Sequence, residues 1–393
     1  MPNTDIRVLP EEDVERWKRI NGVAFMDPPD TVDRWARYHE AQWTLGAYAD
    51  GALQATATSA PFVLGLEGSP VRMGAVTSVA CMPEYRRRGL VAELLRETLK
   101  RSRDLGEPLS GLWTPHPGLY RRYGWEICTE ANYHSFEPKH VALSPGPKPG
   151  GRIERRAIDD WRLADGVYKQ WTARRNSVAL RDERRWRSIL DFSPDAGFFL
   201  YRAESGEAEG YARMRTRQES GVSNLHVNEL VALSGEAYRA LLGLVLSHDL
   251  VSKAYWWTAG DEPVLDIIAN PEQVKRERQY GLLLRVVDVA EAFANRPSYG
   301  EGRLVVRLID ETCAWNDGTW EISSIGSHLS AERCDDEPML TLDARAIAQL
   351  YNGYRSATNL ARAGRIQVHH ARALAVADIV LAMRQRPYCM DEF

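Results

Sequence analysis

One stretch constrains this chain more than any other: VTSVACMPEYRRRGLVAELL, residues 76–95. An apolar run stops at Pro83, three arginines follow, then Gly89. Val91, Leu94, Leu95 and Leu99 then recur at helical spacing, which predicts a strand, a loop and a helix from about Gly89 to Leu105. A helix start exposes unpaired N–H groups and is the positive end of the macrodipole. Placing Arg86, Arg87 and Arg88 beside it concentrates like charge that an anion would neutralise. Gly89 lets a bulky ligand come close to the backbone. Guanidinium groups recognise phosphate through paired hydrogen bonds. The joint therefore reads as a pyrophosphate cradle, with a solvated basic loop as the plain alternative. It is not a Walker A loop, because no Lys-Ser/Thr follows the glycine, and it lacks GxGxxG.

Around this joint the chain divides at two Pro- and Gly-rich segments, EPKHVALSPGPKPGGR (137–152) and ANRPSYGEGR (294–303). Three domains are expected, over 1–140, 150–293 and 294–393. The first alternates helix and strand: helices in EEDVERWKRINGVAF and TVDRWARYHEA, strands around the Asp50-Gly51 turn, and strands in VRMGAVTSVACM and LSGLWTP. The second repeats a strand followed by a helix, NELVALSGEAYRALL, but lacks the Arg-rich joint. A diverged duplication that has lost its anion site fits that pattern. The third combines RLVVRLID, CAWNDGTWEIS and PMLTLD as strands with ARAIAQLYNGY and ARALAVADIVLAM as helices, a sheet covered by helices. The fold class is α/β (α+β).

Composition narrows the function classes. A net charge of −4 over 393 residues argues against a general nucleic-acid binder. The cysteines Cys81, Cys128, Cys313, Cys334 and Cys389 are scattered and lack a CxxC, which fits a reducing cytosol and neither a disulfide scaffold nor a zinc ribbon. No metal-ligand spacing such as HExxH is present. The N-terminus lacks the basic and apolar regions of a signal peptide, and the longest apolar stretch, around LLGLVL, is far short of a membrane span. A soluble cytoplasmic protein without membrane partners is expected.

VACMPEYRRRGLVAELL resembles the acetyl-CoA motif of the GNAT acyltransferases, a strand followed by R/Q-x-x-G-x-G/A and a helix. Here the motif is Arg86-Arg87-Arg88-Gly89-Leu90-Val91, with Val91 where the family usually has glycine or alanine. Together with GLYRRYGW (118–125), two further segments and a chain ending in DEF, it resembles the Eis (enhanced intracellular survival) acetyltransferases along its whole length. The resemblance implies tandem GNAT-like domains, the second degenerate, a C-terminal sterol-carrier-protein-like domain, acetyl-CoA as co-substrate, a small-amine acceptor of aminoglycoside or polyamine type, and a hexamer.

Amine acetylation needs a held thioester, a polarised carbonyl, a proton acceptor for the amine and a proton donor for the thiolate. By resemblance, the strand Ser78-Val79-Ala80-Cys81 offers its backbone to the cofactor. Tyr120 matches the family tyrosine that protonates the leaving thiolate, with Tyr123 as the rival inside the motif. The α-carboxylate of Phe393 matches the family's base or amine orienter. Asp27 and Trp35 match an acidic residue and an aromatic wall of the family's amine pocket, and Glu392, with Asp391, would add negative charge nearby as a further substrate-binding candidate. Each has a plain counterpart: Val79 as a buried strand residue, Asp27 as a turn or cap residue, Trp35 as core, and the terminus as a frayed tail. His116, between two prolines, is a further candidate base. The His369-His370 pair would point to different helix faces and reads as surface. The alternatives to a small-molecule acetyltransferase are a protein-lysine acetyltransferase and a lipid-binding protein carrying a relic acyltransferase domain.

Overall fold

The computed structural model describes residues 5–294 and 296–393. Contact density divides the chain into two units. One holds the chain up to Thr129, Gly281–Pro387 and Asp391–Phe393; the other holds Glu130–Tyr280 and Tyr388–Met390.

The first unit opens with β1 (Asp5–Val8), α1 (Val14–Phe25), α2 (Pro29–Ala36), β2 (Thr44–Ala49), β3 (Ala52–Leu66) and β4 (Ser69–Cys81). Then come α3 (Leu90–Asp104), β5 (Leu109–Leu112), the short turn α4 (Pro117–Tyr120) and β6 (Glu126–Ile127). Asp50-Gly51 and Glu67-Gly68 turn the two hairpins with positive φ at both residues (52° and 76°; 48° and 95°), the handedness that matches strand twist. α2 stops at Ala36, short of the helix expected to reach Ala41.

The sheet order is β1-β2-β3-β4-β5, then strand Leu283–Val286, then β6. β4 and β5 run parallel, joined by α3, and the inserted strand is antiparallel to both its neighbours. Of the stripe read from the sequence, α3 buries Leu94, Leu95 and Leu99; Val91 is only half-buried, and Leu90 beside it is the buried residue of the first turn.

The same unit contains a second sheet in the order 328–333, 318–325, 303–309, 340–343, 366–368, with helices Ala344–Tyr351 and Ala373–Val380. Within CAWNDGTWEIS only Gly318 onward is strand; the Asn-Asp-Gly portion is the connection before it. As expected, Asn-Asp-Gly forms the turn, here between the antiparallel strands 303–309 and 318–325; Asn316 is also buried, its side-chain amide donating to the Val287 carbonyl at 3.0 Å. His369 and His370 lie exposed between strand Ile366–Val368 and the last helix, not on a helix as expected.

The second unit is one sheet in the order 275–280, 130–136, 253–259, 222–232, 208–219, 197–202, 152–156. Its parallel pair, Val222–Ala232 and Lys253–Ala259, is joined by helix Gly235–Leu246. A hairpin at Ser220-Gly221, again with positive φ at both residues, precedes that pair. The hairpin–strand–helix–parallel-strand order is that of β3-β4-α3-β5.

Candidate active site

The last rung between β4 and β5 is Val76↔Leu112. Beyond it β4 runs on to Cys81 with its β3 side paired and its β5 side open. Within this extension Ser78 and Val79 stand against Ala57 alone, a β-bulge, with Ser78 at φ 50°. The bulge is braced from behind. The Thr56 hydroxyl donates to the Ser78 carbonyl at 3.1 Å, and Asn21 on α1 bonds the Trp17 carbonyl at 2.9 Å and reaches Thr56. An open strand edge can accept an extended amide chain as a further strand. Ala80 and Cys81 are buried, and Val79 is half-buried against the cores on both sides of β4. Burial pushes the Cys81 thiol up, so Cys81 is not a ready nucleophile.

The arginine loop follows directly. Arg87 has φ 63° and Gly89 φ 89°, and Gly89 is the N-cap of α3 with no side-chain capping bond. The N–H groups of the first turn are thus left for an external acceptor. Arg86, Arg87 and Arg88 are exposed. Arg86 Nε donates to the Cys81 carbonyl at 3.4 Å, and Arg88 lies over the Tyr85 ring at 4.7 Å. Nothing lies within 4 Å of where a Gly89 side chain would start. Charge, free donors and open space together fit a pyrophosphate. Leu90 is buried, and Val91 packs toward the β4 core.

Tyr120 and Tyr123 share a core with Val76, Val79, Val91 and Trp125. The Tyr120 ring meets Trp125 edge-on at 6.2 Å. Among the described residues its hydroxyl has no hydrogen-bond partner, and burial pushes its pKa up to about 12. Tyr123 carries the Arg96 guanidinium over its ring at 5.5 Å. His116 is exposed, its backbone N–H donating to the Thr114 hydroxyl at 2.9 Å.

The chain end is not frayed. Asp391 is 2% exposed, and its carbonyl accepts from Trp113 Nε1 at 3.0 Å. The Phe393 ring packs on Phe62 of β3 with centroids 5.0 Å apart. Trp113 directly follows β5, so the terminus is carried to the place where β4 and β5 part. Glu392 is exposed. Asp27 is half-buried, and its carboxylate neither caps α2 nor pairs with another described residue. Trp35 packs edge-on against Trp17 at 5.4 Å, so at least one face of it is core. Trp113 and Phe62 were not read from the sequence as site residues. Trp113 meets Asp391 across 278 positions, and no local pattern carries a contact of that separation.

In the second unit the corresponding helix start is closed. The Ser234 hydroxyl oxygen accepts from Ala237 N–H, and that hydroxyl donates to the Glu209 carboxylate at 2.6 Å. A carboxylate stands where the first unit offers donors to an anion. Among the described residues no group of three His, Cys, Asp or Glu side chains could hold a metal ion, and no helix is long and apolar enough to cross a membrane.

Residues 5–128 and 178–286 match two family models, each described as an acetyltransferase (GNAT) domain, and residues 289–390 match a sterol carrier protein domain. The chain is 28% identical to an uncharacterized N-acetyltransferase of Streptomyces avermitilis, over 99% of this chain and 98% of that one. It is 24% identical to the N-acetyltransferase Eis of Mycobacterium tuberculosis, over 77% and 76% of the two chains. Among solved structures, Eis1 of Mycobacterium abscessus aligns with a TM-score of 0.85 at 25% identity, covering 99% of this chain and 100% of that one. A GCN5-related N-acetyltransferase of Anabaena variabilis aligns with a TM-score of 0.92 over the full length of both chains at 18% identity, a likeness of fold alone.

Proposed function

Because this chain is an Eis-like N-acetyltransferase of the GNAT class, we propose that it moves an acetyl group from acetyl-CoA to a small cationic amine by direct attack on the thioester. The observation that carries this reading is the opening of β4 from β5 past Val76↔Leu112, with the uncapped Arg86–Gly89 loop at its far end and the chain terminus at its near end. The division into 1–140, 150–293 and 294–393 remains our proposal for the functional domains, as do a cytoplasmic setting and a homo-oligomer, hexameric by resemblance.

Acetyl-CoA supplies the activated acetyl thioester. Arg86, Arg87, Arg88 and the N–H groups from Gly89 to Val91 hold its pyrophosphate. The open edge of Val79, Ala80 and Cys81 aligns its amide arm, and the bulge turns a backbone N–H toward the thioester carbonyl. Asp27, Trp35 and Glu392 receive the amine, whose charge the two carboxylates complement. The attacking nitrogen first gives up its ammonium proton to solvent, while the acceptor's other ammonium groups keep the cationic charge. As the new C–N bond forms and the C–S bond breaks, the Phe393 carboxylate takes or orients the proton that this neutral nitrogen then loses. The Tyr120 O–H gives its proton to the departing sulfur. The net result is one proton moved from nitrogen to sulfur, and both groups reset by exchange with solvent.

The test is thiol release from acetyl-CoA with a panel of polyamines, aminoglycosides and lysine peptides. CoA release that depends on a small polyamine or aminoglycoside supports the proposal. Release only with peptides would move the acceptor to protein lysine. No amine-dependent release, with acyl chains bound instead, would make the acyltransferase portion a relic.

A further inference from the structure

The strand between β5 and β6 carries a charge in the core. Arg285 is 0% exposed, and its partner Asp310 is 3% exposed. Arg285 Nη2 donates to both carboxylate oxygens of Asp310 at 2.6 Å, and Nη1 donates to the Val286 carbonyl at 2.9 Å. Asp310 Oδ1 also accepts from the backbone N–H of Cys313 at 2.9 Å and Thr312 at 3.2 Å, and Oδ2 from Asn316 at 3.3 Å. The pair is thus fully hydrogen-bonded. A buried ion pair is a poor device for stability alone, since apolar residues of similar size often serve as well.

The remaining arm shows another use. Arg285 Nε donates at 3.0 Å to the carbonyl of Tyr123, the last residue of the 3₁₀ turn Arg121–Tyr123 that follows Tyr120. Gly124 ends that turn at φ 93°. A side chain there would start 2.6 Å from Arg285 Nε and 2.9 Å from its Cζ, so the guanidinium lies flush on the turn. Because the Tyr120 hydroxyl has no partner of its own among the described residues, its position is inherited from this backbone and from Trp125.

We propose that Arg285, backed by Asp310, is a positioning residue that fixes the Tyr120 O–H where the thiolate departs. The inference rests on the reading of Tyr120 as the general acid, and the test separates the two. The paired substitution Arg285→Met with Asp310→Asn removes both charges while leaving an acceptor for the Cys313 and Thr312 N–H groups. Its kcat, its KM values and its calorimetric CoA affinity are measured in the parent and in Tyr120→Phe. We expect kcat to fall about 10- to 100-fold, since a misplacement of about 1 Å can cost 100-fold. KM and CoA affinity should stay within twofold. In the Tyr120→Phe background the same pair should cost less than twofold more, because groups acting through one another are not additive. An equal loss in both backgrounds, or unchanged kcat in the parent, overturns the inference. Parental kcat in Tyr120→Phe alone overturns the acid assignment instead. If the paired variant does not fold, Arg285→Lys keeps the charge beside Asp310 but loses the fork that reaches Tyr123, and the same outcomes apply.

Discussion

The indole N–H of Trp113 donates a 3.0 Å hydrogen bond to the backbone carbonyl of Asp391, two residues from the end of the chain. Phe393 is then held on Phe62. If the Phe393 carboxylate acts as proposed at the mouth of the split sheet, the reaction is sensitive to any extension of the chain there. Appending a Gly-Ser dipeptide moves the charge by up to about 7 Å. Acetyl transfer should fall by about 100-fold or more, while calorimetry returns parental CoA affinity. A tailed enzyme at full rate would place the base elsewhere.

Tyr120→Phe should lower kcat by about 100- to 10,000-fold, and Tyr123→Phe should change it little. Burial raises the Tyr120 pKa to about 12, so its proton is retained through the range where a free phenol near 10 would lose it. The rate should therefore not fall between pH 8 and pH 10. A decline in kcat/KM centred near pH 10 that disappears in Tyr120→Phe would keep Tyr120 as the acid but contradict its raised pKa, whereas a parental kcat in Tyr120→Phe would contradict the assignment itself.

At the phosphate cradle, Gly89→Asp adds a negative charge and a side chain at φ 89°. CoA affinity should fall at least tenfold, in keeping with hydrogen bonds to charged groups at about 1.5–3 kcal/mol each. Gly89→Asn tolerates positive φ and adds no charge, so it should lose markedly less. Equal losses in the two variants would assign the effect to backbone strain instead of charge.

The capped helix at Ser234, with Glu209 beside it, should bind no second cofactor. A titration with CoA should saturate at one molecule per chain. Two equivalents bound with comparable affinity would mean that the second unit retains a site.

His134 is 1% exposed and is held neutral down to a pKa of about 4, chiefly by burial and secondarily by Arg276. Below about pH 6.5 the unfolded chain binds a proton that the folded chain refuses. Stability at this site is complete above 6.5 and falls as pH drops toward 4, by on the order of 3 kcal/mol. Urea midpoints at pH 7 and pH 5 should differ by less in His134→Gln than in the parent. An identical drop in both would assign the acid sensitivity to other groups.

The sequence was most legible where chemistry is local. Leu94, Leu95 and Leu99 of the expected stripe became the buried face of α3, with Leu90 in place of the half-buried Val91, and Asp50-Gly51 became a hairpin with positive φ at both residues. It was less legible where a residue answers to a distant partner. Asn316, in the Asn-Asp-Gly turn that joins the antiparallel strands 303–309 and 318–325, also bonds Val287, a contact no local pattern carries. Trp35, matched to an amine pocket, spends one face on Trp17.

By itself, the sequence determined the strand–arginine–glycine–helix joint, the missing counterpart of that joint at Ser234, and the tyrosine motif. Each depends on periodicity and residue type within about twenty positions, the range over which backbone propensity and side-chain spacing act. Only the tertiary structure decided that strand Leu283–Val286 lies between β5 and β6, that Asp310 braces Arg285 against the Tyr120 turn, and that the last residues return to Trp113. Those contacts join residues far apart along the chain. Their free energy comes from burying and pairing groups that no local segment can bury alone, so their partners are chosen only once the sheets have closed.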